Sequence, residues 1–305
     1  MGTPDFAVTI LKAILSSKHE ITAVITQPDK QKGRGKEIQF SAIKEYALAQ
    51  GLPVLQPLKI KEYTAVEELR KLEADIFVVA AFGQLISKEI LDMPKYGCIN
   101  VHASLLPKYR GAAPIQWAII NGEAESGVTI MQMDEGLDTG NMIMKYVVPI
   151  EKEETGSSLH DKLAETGAKL CVDVLDGIEN GAMNAIEQNN EEATYVKMIS
   201  KELGQIDFKK SAVEIERMVR GLTPWPSAYT SCKGRNLKIW KADVVHEKSE
   251  GDAGSIARVT KSSIVVNTGK ELLEIKELQI EGKKKMDAGS FLLGYELHAG
   301  EKLGN

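Results

Sequence analysis

The chain has 305 residues, of which 43% are hydrophobic and 27% charged, with a net charge of −5. That length suits two domains, and the balance is that of a folded soluble protein, so a disordered chain is excluded. No run approaches the ~18 apolar residues of a membrane span, and no charged-then-apolar leader is visible, so a cytoplasmic, membrane-free protein is expected.

Charge is unevenly spread. Residues 205–305 hold 17 Lys and Arg against 14 Asp and Glu, whereas residues 1–204 hold 21 against 29. An acidic front and a basic back suggest that only the back meets a polyanion. Cys98, Cys171 and Cys232 are far apart and none lies in a CxxC. A disulfide scaffold or cysteine zinc site is disfavoured, and buried free thiols are expected.

In chain order, Met1-Gly2-Thr3-Pro4 reads as a turn and Phe6–Ser16 as a helix. Ile21–Gln27 is a β-branched strand, Ser41–Gln50 a helix, Val54–Gln56 a short extended run and Glu62–Glu73 an amphipathic helix. Ile76–Phe82 is continuously apolar, as in a strand buried on both faces. Cys98–Val101, Val128–Met133 and Met142–Val148 read as further strands, and Ser157–Ile178 as a long helix. This alternation implies an α/β domain, a mostly parallel sheet with helices on both faces. Such a domain usually opens with a strand ahead of its first turn, and no residues are left for one. Either the chain starts late or the fold manages without it.

The last third differs. A helix, Val213–Leu222, precedes the short strands Ala228–Cys232, Leu237–Val245, Ile256–Val259, Ile264–Asn267 and Leu272–Leu278, and a short helix, Ala288–Leu293, follows. This pattern suggests a smaller C-terminal OB-like β-barrel, a type that often binds nucleic acid. The expected organisation is a catalytic domain over 1–189, a polar linker over 190–207 and an OB-like domain over 208–305.

The densest segment for chemistry is 97–140. Asn100 and His102 are two apart at the C-terminal end of a strand, so their side chains share a side. Asp138 follows another strand and can reach that edge, where open α/β sheets place their ligand crevice. An amide, an imidazole and a carboxylate suit acyl transfer. Asn can donate to a developing oxyanion, His can donate to it or move a proton, and Asp can orient the imidazole or accept the proton of an attacking amine. No Ser or Cys lies in a GxSxG elbow, which favours direct transfer over an acyl-enzyme. No GxGxxG follows a strand, which disfavours a dinucleotide dehydrogenase. His19, His160, His246 and His298 lack metal-ligand spacing, so no metal is expected.

The stretch Cys98-Ile-Asn-Val-His-Ala-Ser-Leu-Leu-Pro-Lys-Tyr-Arg-Gly-Ala-Ala-Pro-Ile-Gln-Trp117, with Leu137-Asp-Thr-Gly140, resembles the signature of the folate-dependent formyltransferase superfamily. Met1–Val8, Gln27–Lys36, Pro224-Trp-Pro226 and Leu278–Met286 resemble the branch that acts on methionyl-tRNA. The resemblance therefore spans essentially the whole chain. It implies a Rossmann-like catalytic domain that carries the formyl group of 10-formyltetrahydrofolate to the α-amino group of initiator methionyl-tRNA, the step that prepares translation initiation. By motif, Asn100, His102 and Asp138 are the catalytic trio. Ser104, Leu105, Leu106 and Pro107 line the folate site, and Phe82, Gly83, Gln84 and Leu85 lie beside the pterin pocket. Arg34 and Lys36 lie in a loop that approaches the tRNA acceptor end.

Lys209, Lys210, Arg217, Arg220, Lys283, Lys284 and Lys285 are candidate phosphate contacts in the basic back. Trp225 either packs a domain interface or stacks on RNA. A monomer is expected. The family's sheet carries an interior strand ahead of the Met-Gly-Thr-Pro turn, so an unfilled slot is expected beside Ile21–Gln27. Two rival readings are a formyltransferase for a sugar-nucleotide amine or glycinamide ribonucleotide, and an RNA-binding module with an inactive catalytic domain.

Overall fold

The computed structural model describes residues 1–32 and 37–304. It divides into two compact units. One comprises Met1–Pro114, Glu125–Pro149 and His160–Val196. The other comprises Ile115–Ala124, Ile150–Leu159 and Lys197–Asn305.

The chain runs through α1 (Asp5–Leu15), β1 (Val24–Ile25), β2 (Lys30–Lys32), β3 (Glu37–Gln39), α2 (Ala42–Ala49), β4 (Val54–Leu55), α3 (Tyr63–Arg70), β5 (Phe77–Val79), α4 (Lys88–Leu91) and β6 (Cys98–His102). It continues through β7 (Arg110–Gly111), α5 (Pro114–Asn121), β8 (Glu125–Gln132), β9 (Met142–Pro149), α6 (Gly156–Glu179) and β10 (Tyr195–Val196). α1 is amphipathic, burying Phe6, Ala7, Ile10, Leu11 and Ile14 on one stripe.

The first unit's main sheet has the order β5-β6-β8-β9. β5 and β6 are parallel, whereas β8 is antiparallel to both β6 and β9. The short return between β8 and β9 permits only an antiparallel pair. All five residues of β6 are buried. α6 packs against this strand through Gly167, where a β-carbon would lie 2.9 Å from Val101 Cγ1.

β1 and β4 form a separate parallel pair. Met1 and Gly2 lie between β1 and the end of β5. The Gly2 N–H donates to the Ile25 carbonyl (2.9 Å), the Ala80 N–H to the Met1 carbonyl (2.9 Å), and the terminal ammonium to the Val78 carbonyl (2.6 Å). Beyond them a cavity of about 420 Å³ is lined by Ile21, Ala23, Ile76, Phe77 and Val78, among others. Val24 and Ile25 are the residues of the Ile21–Gln27 run that pair as a strand, in register with Val54 and Leu55 of β4.

The second unit holds α7 (Ala212–Gly221), β11 (Ala228–Cys232), β12 (Arg235–Val245), β13 (Ile256–Val259), β14 (Ile264–Asn267), β15 (Leu272–Ile280), β16 (Met286–Asp287) and α8 (Ala288–Leu292). Its strands pair antiparallel in the order β11-β12-β15-β14-β13, with β16 also on β15. In β12, Leu237 and Ile239 are buried and Lys238 is not. The alternation then slips, so that Ala242 is the next buried residue. The register shifts flanking Lys241 mark this bulge. α7 starts at a reciprocal Ser211–Glu214 capping box and buries Ile215, Met218 and Val219. No helix among the described residues is long and apolar enough to cross a membrane.

Cys98, Cys171 and Cys232 are all buried and unpaired. Burial pushes the Cys98 and Cys171 thiols up to about 12 and raises that of Cys232. At pH 8 a thiol at 12 is ionised to only about 10⁻⁴, and the thiolate is the reactive form. The native protein is therefore expected to resist an aromatic disulfide reagent, with all three cysteines reacting in guanidinium. Prompt labelling of the native protein would contradict this packing.

Candidate active site

Asn100 and His102 lie on β6 and point to one face. Asn100 is in register with Val79 on β5 and Met131 on β8, and His102 with Thr129. Because β5 and β6 are parallel, the segment after β5 and the end of β6 share one sheet edge. Asp138 comes from the β8–β9 loop and meets His102 there. The separation of His102 Nδ1 from Asp138 Oδ1 is 3.7 Å.

His102 Nε2 lies 3.0 Å from the Tyr109 carbonyl oxygen. A carbonyl can only accept, so Nε2 carries the proton and Nδ1 is the nitrogen turned to Asp138. The other Asp138 oxygen, Oδ2, accepts the Gly111 N–H at 2.8 Å. Two residues that hold this pair have left-handed backbones, Tyr109 at φ 60° and Asp138 at φ 55°. Such conformations in non-glycine residues cluster at functional sites. Gly140 closes the Asp138 loop where a β-carbon would sit 1.7 Å from the Gln132 carbonyl, so no larger residue fits.

Asn100 is only 9% exposed, yet its carboxamide makes no hydrogen bond to another described residue. It leaves a carboxamide donor unengaged among the described residues, on the same face of β6 as His102. The structure thus brings all three residues of the expected trio to one edge, with His102 and Asp138 in direct apposition.

The expected folate-site residues behave differently from one another. Ser104 is buried and its hydroxyl donates to the Lys108 carbonyl at 2.7 Å. Thr129 clamps this loop by donating to the Ser104 carbonyl (2.7 Å) and accepting the Leu106 N–H (3.1 Å). Leu106 is fully buried, Pro107 is buried, and Leu105 packs over Gly127. These four residues shape the edge through their backbone turn more than through free polar groups.

Phe82 opens the segment expected beside the pterin pocket. It is 2% exposed and belongs to the apolar core with Ile25, Ile60 and Phe77, so its ring is spent on packing. Gly83 takes φ 77° at the turn. Gln84 anchors the segment, accepting the Ile60 N–H at 2.8 Å and donating to the Pro57 carbonyl at 3.2 Å. Leu85 is 82% exposed.

Among the basic candidates, Arg34 and Lys36 lie outside the described residues. Arg220 is not a free cation. It pairs with Glu216 through both Nε and Nη2 and donates to the Glu154 carbonyl at 2.9 Å. Arg217 packs its guanidinium on Gly122, and Lys285 is paired with Glu277 at 2.5 Å. Lys209, Lys210, Lys283 and Lys284 are exposed. Trp225 is 55% exposed. His19, Asp176 and Glu179 converge, but Lys18 already neutralises the two carboxylates at 3.3 and 2.6 Å.

The formyl transferase family matches residues 1–175, and the C-terminal domain of that family matches residues 198–296. A methionyl-tRNA formyltransferase of Agathobacter rectalis is 57% identical over 300 residues, covering 98% of this chain and 97% of that protein. The chain belongs to the methionyl-tRNA formyltransferase family. The enzyme of that name from Clostridioides difficile is 49% identical over 304 residues, covering 100% of this chain and 98% of that protein.

Among solved structures, an N-formyltransferase from Helicobacter canadensis in complex with folinic acid and dTDP-3-aminofucose aligns with a TM-score of 0.67 at 26% identity. It covers 90% of this chain and 97% of that one. The fold is therefore the formyltransferase fold, an α/β unit with a parallel strand pair and helices followed by an antiparallel β unit. Sequence reasoning did not single out Thr129, Tyr109 or Gln188. Only Tyr109 lies in the signature stretch, and the hydrogen bonds of the other two join segments distant in sequence.

Proposed function

We propose that this protein transfers the formyl group of 10-formyltetrahydrofolate to the α-amino group of initiator methionyl-tRNA, with Asn100, His102 and Asp138 as its catalytic residues. The observation that carries the chemistry is the His102–Asp138 apposition at 3.7 Å beside the unengaged carboxamide of Asn100. The near-full-length identity with enzymes named for methionyl-tRNA supports the acceptor. The folate donor supplies the one-carbon unit.

Asn100 donates its amide N–H to the formyl oxygen as the amine adds and negative charge builds there. His102, tied through Nε2 to Tyr109, offers Nδ1 for the proton leaving the amine, and Asp138 stabilises the imidazolium that results. The tetrahedral adduct then collapses: the bond from the formyl carbon to N10 of the folate breaks, N10 takes the proton back from His102, and tetrahydrofolate leaves. The exposed Lys209, Lys210, Lys283 and Lys284 supply phosphate contacts, and exposed Trp225 offers a face for stacking. The protein works in the cytoplasm, as a monomer.

The test is an acceptor panel. With 10-formyltetrahydrofolate, charged initiator tRNA is expected to yield N-formylmethionine, while a dTDP-amino sugar and glycinamide ribonucleotide yield no product. Formyl transfer to the sugar or the ribonucleotide alone would replace this reading, and tRNA binding without transfer would favour an inactive RNA-binding module. The Lys283→Ala/Lys284→Ala double variant is expected to reduce the slope of log affinity against log salt by about 2, near −0.9 per phosphate on a duplex. An unchanged slope would exclude both lysines from the interface.

A further inference from the structure

We infer that the strap over residues 186–196 is the positioning element for the His102–Asp138 pair, acting through Thr194 and Gln188. This rests on the site reading above, and it concerns a segment that lies between the two family matches, 1–175 and 198–296.

The strap is fastened at both ends. Ile186 exchanges two backbone hydrogen bonds with Met142 at the start of β9, each 2.8 Å. Tyr195 and Val196 pair in parallel with Arg110 and Gly111 as β10 on β7. Between these anchors the strap touches both strained residues of the site. The Thr194 hydroxyl oxygen accepts the Tyr109 N–H at 2.8 Å. Tyr109 is the left-handed residue whose carbonyl takes the His102 Nε2 proton. The Gln188 side-chain amide donates to the Asp138 carbonyl at 2.8 Å and to the Gly140 carbonyl at 2.7 Å. Asp138 is the left-handed residue whose carboxylate faces His102 Nδ1.

Gln188 is itself held rigidly. It is 3% exposed, and its Oε1 accepts from Arg110 Nε at 3.1 Å and Nη2 at 2.8 Å. With two donors and two acceptor positions in use, its amide has one orientation. Arg110 is 1% exposed and its other hydrogen bonds go to Tyr195 and Asn190 of the strap, at 3.0 and 2.9 Å. A buried guanidinium met by neutral strap acceptors costs desolvation, so its retention beside the site fits a positioning role. Each strained residue would relax to an ordinary backbone conformation if released, and relaxation would swing the Tyr109 carbonyl or the Asp138 carboxylate away from the imidazole. The strap prevents both motions without touching the reacting groups.

The experiment is a double-mutant cycle. Thr194→Val keeps the shape and removes the acceptor. It is expected to lower kcat about 10-fold with KM for both substrates within two-fold, and Thr194→Ser is expected to restore kcat. Gln188→Leu is expected to lower kcat by a similar factor. In the His102→Ala background, Thr194→Val is expected to cost nothing further, because a residue that acts through His102 has nothing left to position.

A full 10-fold loss that persists in the His102→Ala background overturns the inference, as does a Thr194→Val rate within two-fold of the parent. A His102→Ala rate equal to the parent's overturns the site reading instead. The strap is then decided by the ring ¹⁵N spectrum of His102 at alkaline pH. The parent is expected to show the Nε2–H tautomer and Thr194→Val a mixture, and an unchanged tautomer overturns the strap.

Discussion

Turnover of the His102→Ala protein is expected to fall by ~10²-fold or more, with affinity for methionyl-tRNA little changed. General acid–base groups contribute about 10²–10⁴-fold to rate, and in the proposed reaction His102 takes the amine proton. Its two nitrogens do different things. Nε2 is anchored on a backbone carbonyl, which fixes the ring, and Nδ1 faces a carboxylate that stabilises positive charge once the proton arrives. Alanine removes the acceptor and leaves Asp138 without its partner, while the exposed lysines expected to meet phosphate are untouched. Single-turnover kinetics with saturating donor would measure the chemical step directly. A filter-binding titration would measure tRNA affinity. Turnover within a few-fold of the parent would remove His102 from the chemistry.

The elements most legible in the sequence are those whose own side-chain pattern decides their state. β11, β13 and β14 have the expected bounds, Ala228–Cys232, Ile256–Val259 and Ile264–Asn267, because each buries apolar residues between polar turns. The long helix and β6 were equally plain. Elements that depend on a neighbour were harder to read. The Ile21–Gln27 run has the composition of a seven-residue strand, yet only Val24–Ile25 is assigned as strand, because its partner β4 is itself only Val54–Leu55. β7 and β10 are two residues each, too short to show a period. α5 hides inside the signature stretch, where its apolar residues read as motif.

For the site, period-2 spacing puts Asn100 and His102 on one side of β6, while the grouping of Asp138 with them as a trio is what the resemblance implies. The supports of the trio are not legible in the sequence. Gln188 and Thr194 lie in or beside a polar stretch that composition marks only as loop. Which backbone groups their side chains capture is set by tertiary approach across 50 and 85 residues of chain. For the basic residues, sequence shows the charge but not its surroundings: Arg220 and Lys285 meet Glu216 and Glu277, and Arg217 lies against Gly122.

Asn100→Ala is expected to lower kcat by about 10²–10³, the loss measured when one preorganised oxyanion donor is removed, or roughly 3–4 kcal/mol of transition-state stabilisation. The thermal midpoint should move little. The carboxamide holds no other described residue by a hydrogen bond, so its removal breaks no network. That separation makes the experiment decisive, since a merely structural asparagine would lose stability before it lost rate. KM for the formyl donor should stay near the parent value, because the formyl oxygen is a weak acceptor until the amine adds and negative charge accumulates. Asn100→Asp tests the same point by charge. It keeps the size but replaces a donor with an acceptor, so its loss should equal or exceed that of alanine. If Asn100→Asp retained activity within a few-fold, no donor at this position would be needed. The negative charge would then have to be stabilised by a protonated His102, whose Nδ1–H can donate while Nε2–H stays on the Tyr109 carbonyl.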